Sequence, residues 1–384
     1  MPMTEPWIIV GKGPAGLLAA SLLLEQGHRV VVVAKGQGSL PLWSGALDFY
    51  SWDTKQHPVK APYDHADHLP GLSLNREQWQ AGWEDWRRIL QKVGVQTQIS
   101  PDRENLLSPT LSGVLVPRYL VPEWQYAVTD PEPVTVVSWE GILDLDLHLW
   151  AERYQQHTKM AAKTIQRPAP GVRTARWTPL HWAGYLDSES GRRWLADDLE
   201  AALDDTFDQC PVLVPQIIGI RHTEEILSDL RVRLGRPVKE IPLIAPCLGG
   251  VRIAERWQEY LLGHGVRFVA DEVVGVDGFG VQLATGGALS GRVVLATGGV
   301  LGGGFRLQWD RTVINAATGQ SIAWSGKPED LSCIGVSDAN SLWGVVGRSA
   351  GGWDGDRHGG AGQVLGTVLA WANAMHEEVY CAAR

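Results

Sequence analysis

Three glycines near the start of the chain carry its clearest chemistry. Gly11, Gly13 and Gly16 stand in the spacing G-x-G-x-x-G. That spacing suits a pyrophosphate. The first glycine permits a tight turn, the second lets a phosphate approach the backbone, and the third lets a helix lie close to its strand. Lys12 occupies the turn where a third small residue is often found. Lys35 and Gly36 follow the apolar run Arg29–Ala34. Dinucleotide folds commonly place an acid there for a ribose hydroxyl, whereas a base suits a 2′-phosphate. Ser44 and Gly45 belong to a loop of small residues, 36–48, at the carboxyl end of that run. Ligands of open α/β sheets bind at such ends, so the loop is expected to lie along a bound cofactor. A second glycine-ended run, Ala296-Thr297-Gly298-Gly299, closes the apolar stretch that begins at Val293.

Other chemistries find less support. The four cysteines, Cys210, Cys247, Cys333 and Cys381, are far apart and form no C-x-x-C pair. A zinc ribbon, an iron–sulfur cluster or a disulfide framework is therefore not expected. Asp64-His65-Ala66-Asp67-His68 offers donors without a recognised ligand spacing and sits among Pro58, Pro62 and Pro70, so no metal is assigned. A formal charge of −9 over 384 residues argues against sequence-independent nucleic-acid binding. Hydrophobic content of 44% and charged content of 20% describe an ordinary globular protein. No apolar run is long enough to span a bilayer and no basic leader precedes the first strand, so a cytoplasmic protein is expected.

The elements that must position these residues follow from periodicity. Ile8–Val10 is a β-branched run and reads as a buried parallel strand. Pro14 opens a leucine-rich helix that Gly27 stops, and Arg29–Ala34 is the next strand. Trp79, Trp83, Trp86 and Leu90 recur on one face of a helix expected over 75–93. Prolines between 101 and 133 suggest irregular strands. Val134–Val137 and 210–215 read as strands, and 143–154, 192–203 and 253–262 as helices. Strands are expected at 266–269, 272–276, 281–283, 293–299 and 342–347. A glycine-rich loop then feeds a last helix over 363–377. The fold class is α/β: a Rossmann-like dinucleotide-binding domain with a large inserted α/β region. Residues 1–50 and 241–384 are expected to build the first, and 51–240 to be inserted for substrate or partners. The 18 tryptophans suit a core or an interface, and the sequence leaves that open.

The first βαβ unit, the Ala-Thr-Gly strand end and a terminal glycine loop feeding a helix resemble the two-dinucleotide-binding-domain flavoproteins. More narrowly, the chain resembles the B subunit family of anaerobic glycerol-3-phosphate dehydrogenase. The resemblance rests on Gly36-Gln37, Ser44–Asp48, Val136–Gly141, Leu342–Gly347, Gly351–Asp354 and Gly359–Gly362. It implies a flavin cofactor, FAD or FMN, held by Gly11, Lys12, Gly13, Gly16, Lys35, Gly36, Ser44, Gly45, Thr297, Gly298, Gly347, Gly360 and Gly362. It implies a partner flavoprotein and an iron–sulfur subunit, through which a membrane is contacted and electrons reach quinone. Gly347-Arg348 replaces the Gly-Asp that usually contacts the flavin chain. A dehydrogenase of a phosphorylated polyol needs a base and cations for the phosphate. His358 beside Arg357 is the expected base. Arg348 and Arg357 are expected to bind phosphate, with Arg306 and Arg311 as weaker candidates. Two alternatives stay open: a flavin electron-transfer or assembly subunit without a substrate site, and an NADP-binding reductase.

Overall fold

The computed structural model describes residues 5–47, 50–51, 74–99, 105–171, 177–203, 210–300, 302–323, 342–350, 358–359 and 361–382. Its helices are α1 (Pro14–Glu25), α2 (Arg76–Lys92), α3 (Leu147–Thr158), α4 (Pro179–Leu186), α5 (Glu189–Ala202), α6 (Thr223–Leu234), α7 (Leu248–Gly263) and α8 (Ala361–Ala382). The chain divides into two compact units. One comprises Met1–Leu40, Asp48–Gly94 and Glu255–Arg384, the other Pro41–Leu47 and Val95–Ala254.

The first unit is built on a five-stranded parallel sheet. Its order is Arg267–Val269, Val30–Val33, Trp7–Val10, Arg292–Leu295, Gly344–Val345. All four residues of Trp7–Val10 are buried, which is why the strand reads as an unbroken apolar run rather than an alternating one. Ile8, Val10, Val293 and Leu295 form a core on one side with Val273 and Val281 of a three-stranded antiparallel sheet. α1 is apolar almost throughout and packs on α8. α2 also packs on α8, at two glycines where the helices come close. A Cβ on Gly82 would lie 2.3 Å from Leu369 Cδ1, and one on Gly366 would lie 2.2 Å from the Trp79 ring. Asn75 starts α2 with a capping box. Its side chain accepts from Gln78 N, and Gln78 accepts from Asn75 N.

The second unit holds a four-stranded parallel sheet in the order Val238–Ile241, Val212–Pro215, Val134–Trp139, Ala162–Arg167. Every residue of Val134–Trp139 and of Val212–Pro215 is buried. Tryptophan fills both units. Trp7, Trp79, Trp83, Trp86, Trp124, Trp139, Trp150, Trp182 and Trp257 are all fully enclosed, so these rings are core.

Some elements depart from the sequence pattern. The helix expected from 143 begins at Leu147, because Asp146 caps it by accepting from Leu149 N. The strand expected over 342–347 is limited to Gly344–Val345. Gly347 has φ +67°, and a 3-10 turn, Gly347–Ala350, follows. Ala162–Arg167, α4, α6 and Val238–Ile241 add to the expected elements. The histidine-rich stretch 57–68 lies outside the described residues. Among the described residues no acidic, His and Cys cluster could hold a metal, and no helix is long and apolar enough to cross a membrane.

Candidate cofactor-binding site

The three glycines of the first turn serve different needs. Gly11 has φ +114°, and a Cβ there would lie 2.3 Å from Ala296 O. A Cβ on Gly16 would lie 2.0 Å from Gly11 O. Both are required by the fold itself, for close approach of backbone to backbone. Gly13 is different. Its backbone, φ −75° and ψ −178°, suits any residue, and its nearest neighbour to an added Cβ is Ser39 Oγ at 3.5 Å. Nothing in the chain forbids a Cβ there.

Gly13 is the N-cap of α1. It offers no side-chain cap, Pro14 follows, and the first turn carries no acid. The unpaired amides and positive end of the helix dipole therefore favour an anion at this end. A cavity of about 390 Å³ begins here. It runs past Gly11, Lys12 and Gly13, past Lys35 and Gly36, and along Thr297 and Gly298. Seven of the expected cofactor residues are thus brought together. The Ala296–Gly298 end is braced from below: Thr297 Oγ1 and Ser349 Oγ are 3.0 Å apart, and Ser349 also bonds Gly298 O.

The remaining expected residues are placed as follows. Gly16 packs within the turn. Gly347 donates to Thr367 Oγ1 at 2.6 Å, and a Cβ on it would meet Ala15 Cβ at 2.8 Å. Arg348 is half-buried with its Cβ near Gly299, and burial pulls its guanidinium below the usual arginine range. Gly362 is buried in the first turn of α8. His358 pairs through its backbone with Ser51. Arg357 and Gly360 lie outside the described residues. Ser44 and Gly45 fall in the second unit, where Gly45, at φ +95°, lies against Ile253 and Pro122. Arg306 and Arg311 are not among the residues lining the cavity.

Sequence reasoning missed two acids. Asp271 and Glu272 line the cavity next to Lys35. They follow the Arg267–Val269 strand, which pairs with Val30–Val33, so adjacent strand ends bring them to the place where an acid was missing. Lys35 Nζ donates to Glu272 Oε2 at 2.6 Å, and Arg306 donates to Glu272 Oε1. The Lys35 hydrogen bond, with the further cation, holds the Glu272 carboxyl below the usual carboxylate range. A hydrogen bond from Thr285 does the same for Asp271. Lys12 Nζ reaches Gln258 Oε1 at 3.2 Å, and partial burial pulls its ammonium below the usual lysine range.

These features fit the diphosphate and ribose of a dinucleotide. The test is Gly13: an ordinary backbone conformation and free space for a Cβ leave ligand approach as the reason for glycine. The parallel sheet, the glycine turn and this cavity define a Rossmann-like dinucleotide-binding protein. The chain matches the FAD binding domain family over residues 7–294 and belongs to it. It is therefore a member of a flavin-dependent oxidoreductase family that binds FAD.

The chain is similar to the B subunit of anaerobic glycerol-3-phosphate dehydrogenase from Vibrio cholerae serotype O1. Identity is 26% over 295 residues, covering 72% of this chain and 67% of that one. The protein of the same name from Yersinia pestis is 28% identical over 263 residues, 64% of this chain and 61% of that one. Among solved structures, L-proline dehydrogenase from P. horikoshii matches 97% of this chain and 92% of its own, with a TM-score of 0.32 at 12% identity.

Proposed function

We propose that this chain is the flavin-bearing subunit of a dehydrogenase acting on a small phosphorylated polyol, glycerol 3-phosphate. The product is dihydroxyacetone phosphate, and the electrons move towards quinone through partner flavoprotein and iron–sulfur subunits. The observation carrying this reading is the likeness to the glycerol-3-phosphate dehydrogenase B subunits over 72% of the chain. The dinucleotide cradle at Gly13 supports it. In this reading residues 51–240 serve substrate and partners.

A bound flavin supplies the electron acceptor. The chain's own residues do the rest. His358 takes the proton of the substrate hydroxyl. Arg348 and Arg357 hold the phosphate, for which a guanidinium fork is suited. The first-turn amides of α1 hold the cofactor diphosphate. Gly347, Gly360 and Gly362 would help to hold the flavin.

The test is anaerobic addition of glycerol 3-phosphate to the purified chain, alone and with its partners, while the visible flavin band is followed. Bleaching of the chain alone is the expected result. Bleaching only in the presence of partners makes it an electron-transfer subunit. Denaturing release and mass measurement identify the cofactor, and release of no flavin overturns the reading.

A further inference from the structure

The loop that follows the Val30–Val33 strand closes over the glycine turn. Gly38, at φ +71°, makes that contact: a Cβ on it would lie 2.9 Å from Lys12 O and 3.0 Å from Gly13 N. The next residue is thereby set across from Gly13. Apart from its chain neighbours, two atoms stand within 4 Å of the Cβ position on Gly13, and both belong to Ser39: Oγ at 3.5 Å and the backbone N at 4.0 Å. Both carry a hydrogen to donate. The space that glycine leaves open over the turn therefore faces two donors from one residue.

These donors are uncommitted. Among the described residues, Ser39 Oγ and Ser39 N bond to no protein acceptor. Ser39 lines the dinucleotide cavity and is half-buried. The other hydroxyl in that lining, Thr297 Oγ1, is paired with Ser349 Oγ. The two lining lysines rest on Gln258 and Glu272. Ser44, the hydroxyl expected from this loop, accepts from Ala46 N at 3.3 Å and is not among the lining residues. A hydroxyl and an amide side by side without an acceptor suit an anionic oxygen.

We propose that Ser39 is a second diphosphate-binding residue, its Oγ–H and N–H donating to phosphoryl oxygens of FAD across from the first-turn amides of α1. The diphosphate is then gripped between two elements, the turn at Gly13 and the loop at Ser39. The grip acts on the charged group and not on the adenosine or the flavin ring. It rests on the assignment of this cavity to FAD and is independent of the substrate read for the chain.

The test uses the full chain, stripped of flavin for titration and reloaded for spectroscopy. ADP and adenosine compete with FAD, whose fluorescence change reports binding. ADP differs from adenosine only in the diphosphate. Ser39→Ala removes the hydroxyl and keeps the amide. It should weaken FAD and ADP about tenfold, the loss expected for one hydrogen bond to a charged group, and leave adenosine unchanged. Ser39→Thr keeps the hydroxyl and should restore ADP binding. In the reloaded protein, a ³¹P resonance of bound FAD should move in Ser39→Ala and return in Ser39→Thr. The melt of the stripped chain should be the same for all three proteins, because the Ser39 hydroxyl has no partner among the described residues. Should Ser39→Ala fail to fold, Ser39→Asp decides, since a carboxylate facing the diphosphate should abolish ADP competition and spare adenosine. Undiminished ADP binding in Ser39→Ala, equal losses for ADP and adenosine, or unmoved ³¹P resonances would each overturn the proposal. Should glycerol 3-phosphate fail to bleach the flavin while these changes appear, the substrate reading falls and the role of Ser39 stands.

Discussion

Lys35 Nζ lies 2.6 Å from Glu272 Oε2, so the cation after one strand is matched by a carboxylate arriving after its neighbour. The Lys35 side chain is 72% exposed, so the pair matters little for stability. Its consequence is the charge beside the cavity. With Glu272 ionised, one of the two positive charges of Lys35 and Arg306 is compensated, and a 2′-phosphate meets a trio carrying one net positive charge. Glu272→Gln removes that compensation. We expect the affinity ratio of 2′,5′-ADP to ADP to rise about tenfold in low salt and to fall back in high salt. Titration calorimetry at two ionic strengths reads this directly. An unchanged ratio would place the adenosine ribose elsewhere.

In the second unit, Glu240 and Arg252 form a fully buried ion pair. Arg252 also donates from Nε to Gly219 O at 2.8 Å and from Nη2 to Ile218 O at 2.6 Å, while Glu240 Oε1 accepts from Ile218 N at 2.7 Å. The pair therefore fixes the 217–219 segment after the Val212–Pro215 strand. Burial pushes the Glu240 carboxyl up, and Arg252 opposes that. Arg252→Met strands a buried carboxylate and should cost about 3–5 kcal/mol. Glu240→Gln in the same chain should recover part of the loss. Urea melts followed by tryptophan fluorescence supply both numbers, and additive losses would contradict the pairing.

Lys239 predicts a pH dependence. Burial, with Arg231 nearby, pushes its ammonium down to about 8. The unfolded chain keeps an ordinary lysine value of about 10.4. Between these values the unfolded state binds one more proton than the folded state, so stability rises with pH across that window. The slope from one proton is at most about 1.4 kcal/mol per pH unit. Lys239→Met should abolish this alkaline rise and raise the midpoint at neutral pH. Thermal melts from pH 7 to pH 10, run on both proteins, would show the two curves converging as pH increases; parallel curves would refute the assignment.

The parts legible in the sequence were those whose residues answer to their immediate neighbours. The β-branched runs around the first glycine turn announced the central strands. The Trp79, Trp83, Trp86, Leu90 stripe announced α2, and these residues are buried. Other elements hid behind competing signals. α7 begins at Leu248 rather than near 253 and takes in Gly249 and Gly250, a residue type that helix interiors disfavour. Gly249 is instead a close contact, its Cβ position lying 2.2 Å from Ser44 O. Ala162–Arg167 is an edge strand with Lys163, Gln166 and Arg167 in it, so it lacks an apolar run. In the site, the turn glycines and the Thr297-Gly298 strand end could be read from local pattern. Asp271 and Glu272 could not, since only the pairing of Arg267–Val269 with Val30–Val33 brings them beside Lys35.

The glycine turn gives the sharpest contrast. Gly11, Gly13 and Gly16 share one motif, but of the three only Gly13 has room for a Cβ. Gly16→Ala would push a methyl to 2.0 Å from Gly11 O, and Gly11→Ala would add a positive-φ penalty to a 2.3 Å clash with Ala296 O. Each should lower thermal stability by more than the roughly 1–3 kcal/mol typical of an overpacked site, because the atoms struck are backbone. Cofactor loss in those variants would then follow from damage to the fold. Gly13→Val should behave oppositely. Its φ of −75° is ordinary, and the nearest atom to its Cβ is 3.5 Å away, so the melting temperature of the cofactor-free protein should be unchanged within error. The added methyls would occupy the space of the diphosphate, and the visible flavin absorbance per chain should fall to background. The two measurements, flavin content and the melt of the cofactor-free chain, separate the cases. A Gly13→Val protein that keeps its flavin would remove the diphosphate from this turn, and with it the cavity's assignment as the cofactor site.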